Sequence, residues 1–109
     1  MRPLVAELRD AARELGVGLH VGGVWSIDAV FRETRDKVRK YSSMGVLCVD
    51  MESTGLMAVA VYRGVELGLA HIVTDELYTG SWRVYSDCER MARVEKRVAL
   101  AALSALAKM

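Results

Sequence analysis

The stretch Met44-Gly45-Val46-Leu47-Cys48-Val49-Asp50-Met51-Glu52-Ser53-Thr54 decides the fold. Gly45 stops the helix before it, and residues 46–51 form the short, apolar, β-branched run expected of a strand covered on both faces. Ser53 or Thr54 can cap a following helix, which the spacing carries to Arg63 with Gly64 as its terminator. Residues 56–62, Leu-Met-Ala-Val-Ala-Val-Tyr, are apolar almost all round, which predicts a deeply buried helix. A buried strand feeding a buried helix is half of a β-α-β unit.

Upstream, Pro3 can open a helix because its missing N–H is not needed in a first turn. Leu4, Leu8, Ala11, Ala12 and Leu15 share one face of it, and Gly16 follows the last periodic residue. From Val17 the period drops to two, predicting a strand over 17–25. A second helix fits 30–43, with Phe31, Thr34, Val38 and Tyr41 inward and the mixed charges of 32–40 in solvent. Downstream, a buried strand is predicted over 67–74 and a polar loop over 75–85. Ser86-Asp87-Cys88-Glu89 has capping-box spacing, with Ser86 as N-cap. A last helix then runs to about 107, with Met91, Val94, Val98, Ala101 and Ala105 inward.

The resulting order is αβαβαβα, an α/β fold with a small, largely buried and at least partly parallel sheet flanked by helices, in one domain spanning 1–109. Three strands leave two edges to be paired or covered. The helix over 54–63 is apolar on more sides than a three-stranded layer can bury, so a further surface is expected: another subunit or a missing half of the domain.

The 109 residues are one domain's worth, and a chain of this size buries roughly two-thirds of its unfolded surface. A hydrophobic fraction of 52% excludes a disordered chain. Fifteen Lys+Arg against fourteen Asp+Glu give a net charge of +1, too little to draw the chain to nucleic acid or anionic lipid. Cys48 and Cys88 are too few for a disulfide framework and suit a reducing, cytoplasmic setting. No secretory signal is visible, and the apolar runs at 56–62 and 98–107 fall short of the roughly 20 residues of a membrane span.

Polar residues at the carboxyl ends of buried strands border the ligand crevice of an α/β protein. Two such points stand out, Asp50-Met51-Glu52 and Thr74-Asp75-Glu76. Glu52 lies between an apolar strand and an apolar helix, costly for a carboxylate without donors. A sugar diol supplies them, since one carboxylate can accept from two neighbouring hydroxyls; the positive end of a helix is the alternative explanation. Asp75 can serve as a general acid toward a leaving base, or simply turn the chain after a strand. His20 and His71 have no second ligand at metal spacing, so no metal site is expected. Gly22-Gly23 is no phosphate-cradling loop.

The segments Ala29-Val30-Phe31-Arg32-Glu33-Thr34-Arg35, Val49-Asp50-Met51-Glu52 and Ile72-Val73-Thr74-Asp75-Glu76-Leu77 resemble the nucleoside phosphorylase superfamily, which spans purine nucleoside phosphorylases, uridine phosphorylases and related nucleosidases. The likeness is to the C-terminal half of such a protein. It implies that Met51 packs against ribose, that Glu52 binds its 2′- and 3′-hydroxyls, and that Asp75 protonates N7 of a departing purine, with Thr74 beside it. It implies a base pocket walled by Trp25, Ser26, Val30 and Phe31. Val30 stands where an aromatic commonly faces the base, and Trp82 is a candidate for a compensating face. An aspartate at 75 points to purine-type substrates.

The implied reaction is phosphorolysis to free base and ribose 1-phosphate, with phosphate as co-substrate and no cofactor. Phosphate donors are expected in an N-terminal half; only Arg32, Arg35 and Arg83 lie near candidate loops here. Nucleoside and phosphate are the expected partners, in a homo-oligomer or a complex with an N-terminal-half chain. A hydrolytic nucleosidase and a non-catalytic oligomeric remnant are the rival readings.

Overall fold

The computed structural model describes residues 3–109, in two compact units. The first combines residues 3–21, Glu66–Ile72 and Ser86–Met109. Its frame is a pair of helices, α1 (Leu4–Glu14) and α4 (Cys88–Ala107). They meet through Ala11, Ala12, Ala101 and Ala105, all buried, with Leu8, Val17 and Leu19 packed around them. Alanine at each contact lets two helix backbones approach closely without cost in side-chain entropy. The inward residues read from the 3.6-residue repeat of α4 hold: Ala101 and Ala105 are buried, and Met91, Val94 and Val98 half-buried.

The ends of α1 are closed by two devices. Pro3 offers no capping side chain, and the Leu4 N–H instead donates to Glu66 Oε1 at 2.7 Å, placing an anion at the positive helix end. At the other end Gly16 takes φ +73°, and the Val17 N–H reaches back to the Ala12 carbonyl at 2.9 Å, the left-handed closure that favours glycine. The Lys108 ammonium lies 3.5 Å from Glu14. Helix α4 is capped by Asp87, whose Oδ1 accepts from the Arg90 N–H at 3.0 Å; the cap expected at Ser86 is thus one residue further on.

The second unit, Gly22–Val65 with Val73–Tyr85, carries the sheet. Strands β1 (Gly23–Ser26) and β2 (Val46–Asp50) pair in parallel, with Trp25 opposite Val49 and Ser26 opposite Asp50. Between them runs α2 (Arg35–Ser43), and after them α3 (Ser53–Arg63). The helix predicted over 30–43 is therefore divided. Val30–Arg32 is a single 3-10 turn, and Thr34, expected inward, is the N-cap of α2, its Oγ1 accepting from the Lys37 N–H at 3.3 Å. A threonine hydroxyl competes well for orphan N–H groups at a helix start, which explains the break.

Two expectations fail. The strand predicted over 17–25 forms only at 23–26, and none forms over 67–74; the stretch predicted as a polar loop over 75–85 holds instead a hairpin of β3 (Asp75–Glu76) and β4 (Arg83–Val84), paired antiparallel. Apolar, β-branched runs become strands only beside a neighbour that completes their hydrogen-bond ladder. The burial predicted for α3 fails too: Ser53 and Ala60 are buried, whereas Leu56, Met57, Val59 and Val61 are exposed and Tyr62 is 86% exposed. The mixed α/β class stands, with a two-stranded parallel sheet of largely half-buried residues and a small hairpin.

Candidate functional site

Both carboxylates singled out from the sequence lie in the second unit. The first stands where β2 gives way to α3. Asp50, the last residue of β2, folds its side chain over the helix start. Its Oδ1 accepts from the Ser53 N–H at 3.2 Å, and its Oδ2 accepts from the Ser53 hydroxyl. Ser53 is therefore held by a cap rather than acting as one, and it is among the few buried polar residues described. Ser26 adds a second closure: its Oγ accepts from the Thr54 N–H at 3.3 Å. The Ile27 N–H donates to the Asp50 carbonyl at 2.8 Å. The ends of β1 and β2 and the first turn of α3 thus converge on one point.

That division of labour leaves Glu52 outside the capping network. It occupies the N-cap position of α3 without making a side-chain cap bond. Its Oε2 accepts from the Met51 N–H at 3.0 Å, and no hydrogen bond among the described residues engages Oε1. Glu52 is exposed rather than pressed between strand and helix, and Met51 beside it is half exposed. Of the two duties open to Glu52, a sugar diol or the positive end of the helix, the second is met by Asp50 and Ser26, which carry the hydrogen bonds there.

The second carboxylate opens the hairpin. Asp75 lies on β3, opposite Val84 of β4. The Thr74 hydroxyl donates to Asp75 Oδ1 at 3.2 Å, and the Trp82 indole N–H donates to Asp75 Oδ2 at 2.9 Å. The pairing is locked behind it by the Tyr85 N–H, 2.9 Å from the Thr74 carbonyl, and by the Tyr85 hydroxyl, which donates to Glu76. That bond to the Glu76 carboxylate holds the Tyr85 phenol above its ordinary range.

Glu33 is the residue that sequence reasoning missed. Its carboxyl is raised above the ordinary range, first by partial burial and then by the negative charge of Asp75. Nothing in a Glu-Thr-Arg tripeptide points to this, because the partner is distant in sequence. Ionised Glu33 therefore weakens the fold at neutral pH, and the penalty is relieved as pH falls through its raised titration point. Glu33→Gln is expected to raise the thermal midpoint by a small amount at pH 7, with the gain vanishing below about pH 4.5, where the group is protonated even in the unfolded chain. Thermal melts of both proteins across that range check it.

The residues proposed to wall a base are divided. Trp25 packs on Tyr41 of α2, ring centroids 4.6 Å apart at 33°, so its ring holds the strand to its crossover helix. Ser26 is committed to the start of α3. Val30 and Phe31 stand out on the 3-10 turn, Phe31 at 85% exposure. Trp82, also exposed, is joined to Asp75 by its edge. Cys48 is half-buried, its thiol pushed up by burial and by the charge of Asp50. Among the described residues, no group of three or more His, Cys, Asp or Glu is placed to hold a metal ion, and no helix is long and apolar enough to cross a membrane.

Comparison with known proteins places this geometry in context. Residues 2–107 match the family described as the phosphorylase superfamily. Over 77 residues the chain is 38% identical to proteins named purine nucleoside phosphorylase DeoD-type from Bacillus cytotoxicus and from Bacillus cereus strain ZK / E33L. The same identity over the same length relates it to the protein of that name from Bacillus mycoides. The match takes in 71% of this chain and 33% of each relative, in their C-terminal part. The chain thus spans about a third of the length of the curated relatives it matches. No solved structure matches it. A match to the family model over residues 2–107, almost from end to end, leads to one conclusion: the chain belongs to the phosphorylase superfamily.

Proposed function

We propose that this chain forms the nucleoside-holding side of a purine-type nucleoside phosphorylase site. Glu52 accepts hydrogen bonds from the 2′- and 3′-hydroxyls of ribose, and Met51 packs against the sugar. Asp75 gives a proton to N7 of the departing purine. The observation that supports this most is the state of Glu52: an exposed carboxylate at the carboxyl end of a parallel strand, relieved of capping duty by Asp50 and Ser26, with Oε1 left for a ligand.

The chemistry balances. A phosphate oxygen attacks C1′ as the bond from C1′ to N9 breaks, and the bonding pair leaves with the base. The developing charge on the sugar is positive and that on the purine negative. A group gripping the diol fixes the first, and a proton placed at N7 stabilises the second. Forming the phosphate ester releases a proton that restores Asp75.

Phosphate is held by donors contributed from outside this chain, by an N-terminal-half chain or another subunit, at work in the cytoplasm. The exposed apolar face of α3 supports such assembly, because contiguous apolar surface of that kind marks an interaction site. Calorimetric titration of the chain with inosine tests the reading. Inosine is expected to bind, with turnover in phosphate negligible until the phosphate-holding part is added. Absence of binding overturns the nucleoside assignment, and turnover at an ordinary enzymatic rate by the chain alone overturns the need for a partner. Base release that proceeds unchanged without phosphate in the reconstituted protein assigns it instead as a nucleosidase.

A further inference from the structure

The hairpin loop after β3 does more than connect two short strands. Gly80, at φ +85°, lets the chain turn back, the Gly80 N–H donates to the Leu77 carbonyl at 3.1 Å, and the Thr79 hydroxyl donates to the Ser81 carbonyl at 3.3 Å. The result is that Trp82, seven residues beyond Asp75, returns its indole N–H to Asp75 Oδ2 at 2.9 Å while the residue stays 69% exposed. An indole nitrogen is a donor only. Thr74 occupies the other carboxyl oxygen. Two donors on two oxygens fix both the plane and the direction of the Asp75 carboxyl, which an exposed aspartate in a two-residue strand otherwise lacks.

We infer that Trp82 is a positioning residue for Asp75, acting through its indole N–H rather than by stacking its ring against a base. This rests on the nucleoside reading above for its catalytic meaning, but the coupling of Trp82 to Asp75 is a property of the chain itself. It refines the part that the sequence reserved for Trp82, a flat face substituting for an aromatic at Val30. A ring tied at its edge to the acid is restricted in how it can turn. Glu33, on the connection into α2, carries a charge of the same sign as this acid and is raised by it, and Glu76, Arg83 and Tyr85 lie along the hairpin.

Two measurements test this. The chain has two tryptophans, so its nitrogen-15 spectrum carries two indole N–H signals, assigned by Trp82→Phe. The Trp82 signal is expected to move with pH, to cease doing so in Asp75→Asn, and to keep moving in Glu33→Gln. A signal insensitive to pH in the parent chain, or unaffected by Asp75→Asn, overturns the coupling. In calorimetry, Trp82→Phe, which keeps a ring and loses the donor, is expected to weaken inosine binding about tenfold, as much as Trp82→Ala does. Parent-like affinity in Trp82→Phe with a loss only in Trp82→Ala assigns stacking instead and overturns the inference. If the parent chain binds no inosine, the nucleoside reading falls, and the resonance experiment alone decides whether Trp82 governs Asp75.

Discussion

Glu52→Gln is expected to weaken purine nucleoside binding about 100-fold while leaving the fold intact. A carboxylate that receives two sugar hydroxyls makes two charge-assisted hydrogen bonds, each worth about 1.5–3 kcal/mol. The amide keeps one acceptor and turns a donor toward the second hydroxyl, so at least one of those bonds is lost and the other weakened. A loss near 3 kcal/mol corresponds to about 100-fold in affinity. The fold has little at stake, because Glu52 is exposed and its one hydrogen bond is to the neighbouring Met51 N–H.

The alternative, that Glu52 is there for the helix end, makes the opposite forecast. Removing a charge from an exposed helix N-terminus costs about 0.3–1 kcal/mol of stability and nothing in binding. Calorimetry with inosine beside a thermal melt therefore separates the two. Unchanged affinity with a lowered melting point would sink the ribose-binding role. Glu52→Ala is expected to go further than Gln and abolish measurable binding.

Glu52 draws notice in the sequence because it stands at a change of period. After Val46-Leu47-Cys48-Val49 the chain cannot continue as an apolar strand through Asp50, and before the 3.6-residue repeat of α3 it must turn. What could not be read is who shares the duties at that turn. Asp50, Glu52 and Ser53 are all competent at a helix start, and only the pairing of Ser26 with Asp50 across the sheet shows which residues reach the orphan N–H groups. The same holds for Glu33 and Asp75, and for Leu4 and Glu66: each contact spans tens of residues, beyond any local signal.

The failures share one physical origin. Periodicity reports which residues favour burial, not whether a surface is present to bury them. Leu56, Met57, Val59 and Val61 have the composition of an interior helix and lie exposed, and 67–74 has the composition of a strand and remains unpaired in any sheet. Helix α1 was predicted correctly because its counterpart α4 lies within the same chain. Local pattern and tertiary partner agree there, and the inward residues of both helices are those that the repeat assigns, save Leu15, which caps the end of α1 and is exposed.

That agreement makes the helix pair the place where one side chain has the largest effect on stability. Ala101 is 1% exposed, as is Ala11 of the facing helix, and the two belong to one cluster with Ala12 and Ala105. Ala101→Leu adds three carbons at a contact where alanine permits close approach. Leucine has nearly the helix propensity of alanine, so helix formation is unaffected, and it is more apolar, so transfer from water favours it. Only packing opposes the change. Overpacking of a closed site costs about 1–3 kcal/mol, and with two helix backbones close on either side about 2 kcal/mol is expected. For a domain of this length that lowers the melting midpoint by about 10 °C. The control is Leu103→Ala two residues away on the exposed side of α4, which should shift the midpoint little because it vacates no packed space. Ala101→Leu melting with the parent chain would mean that the helices do not meet through their alanines, and the first unit would lose the contact that holds it together.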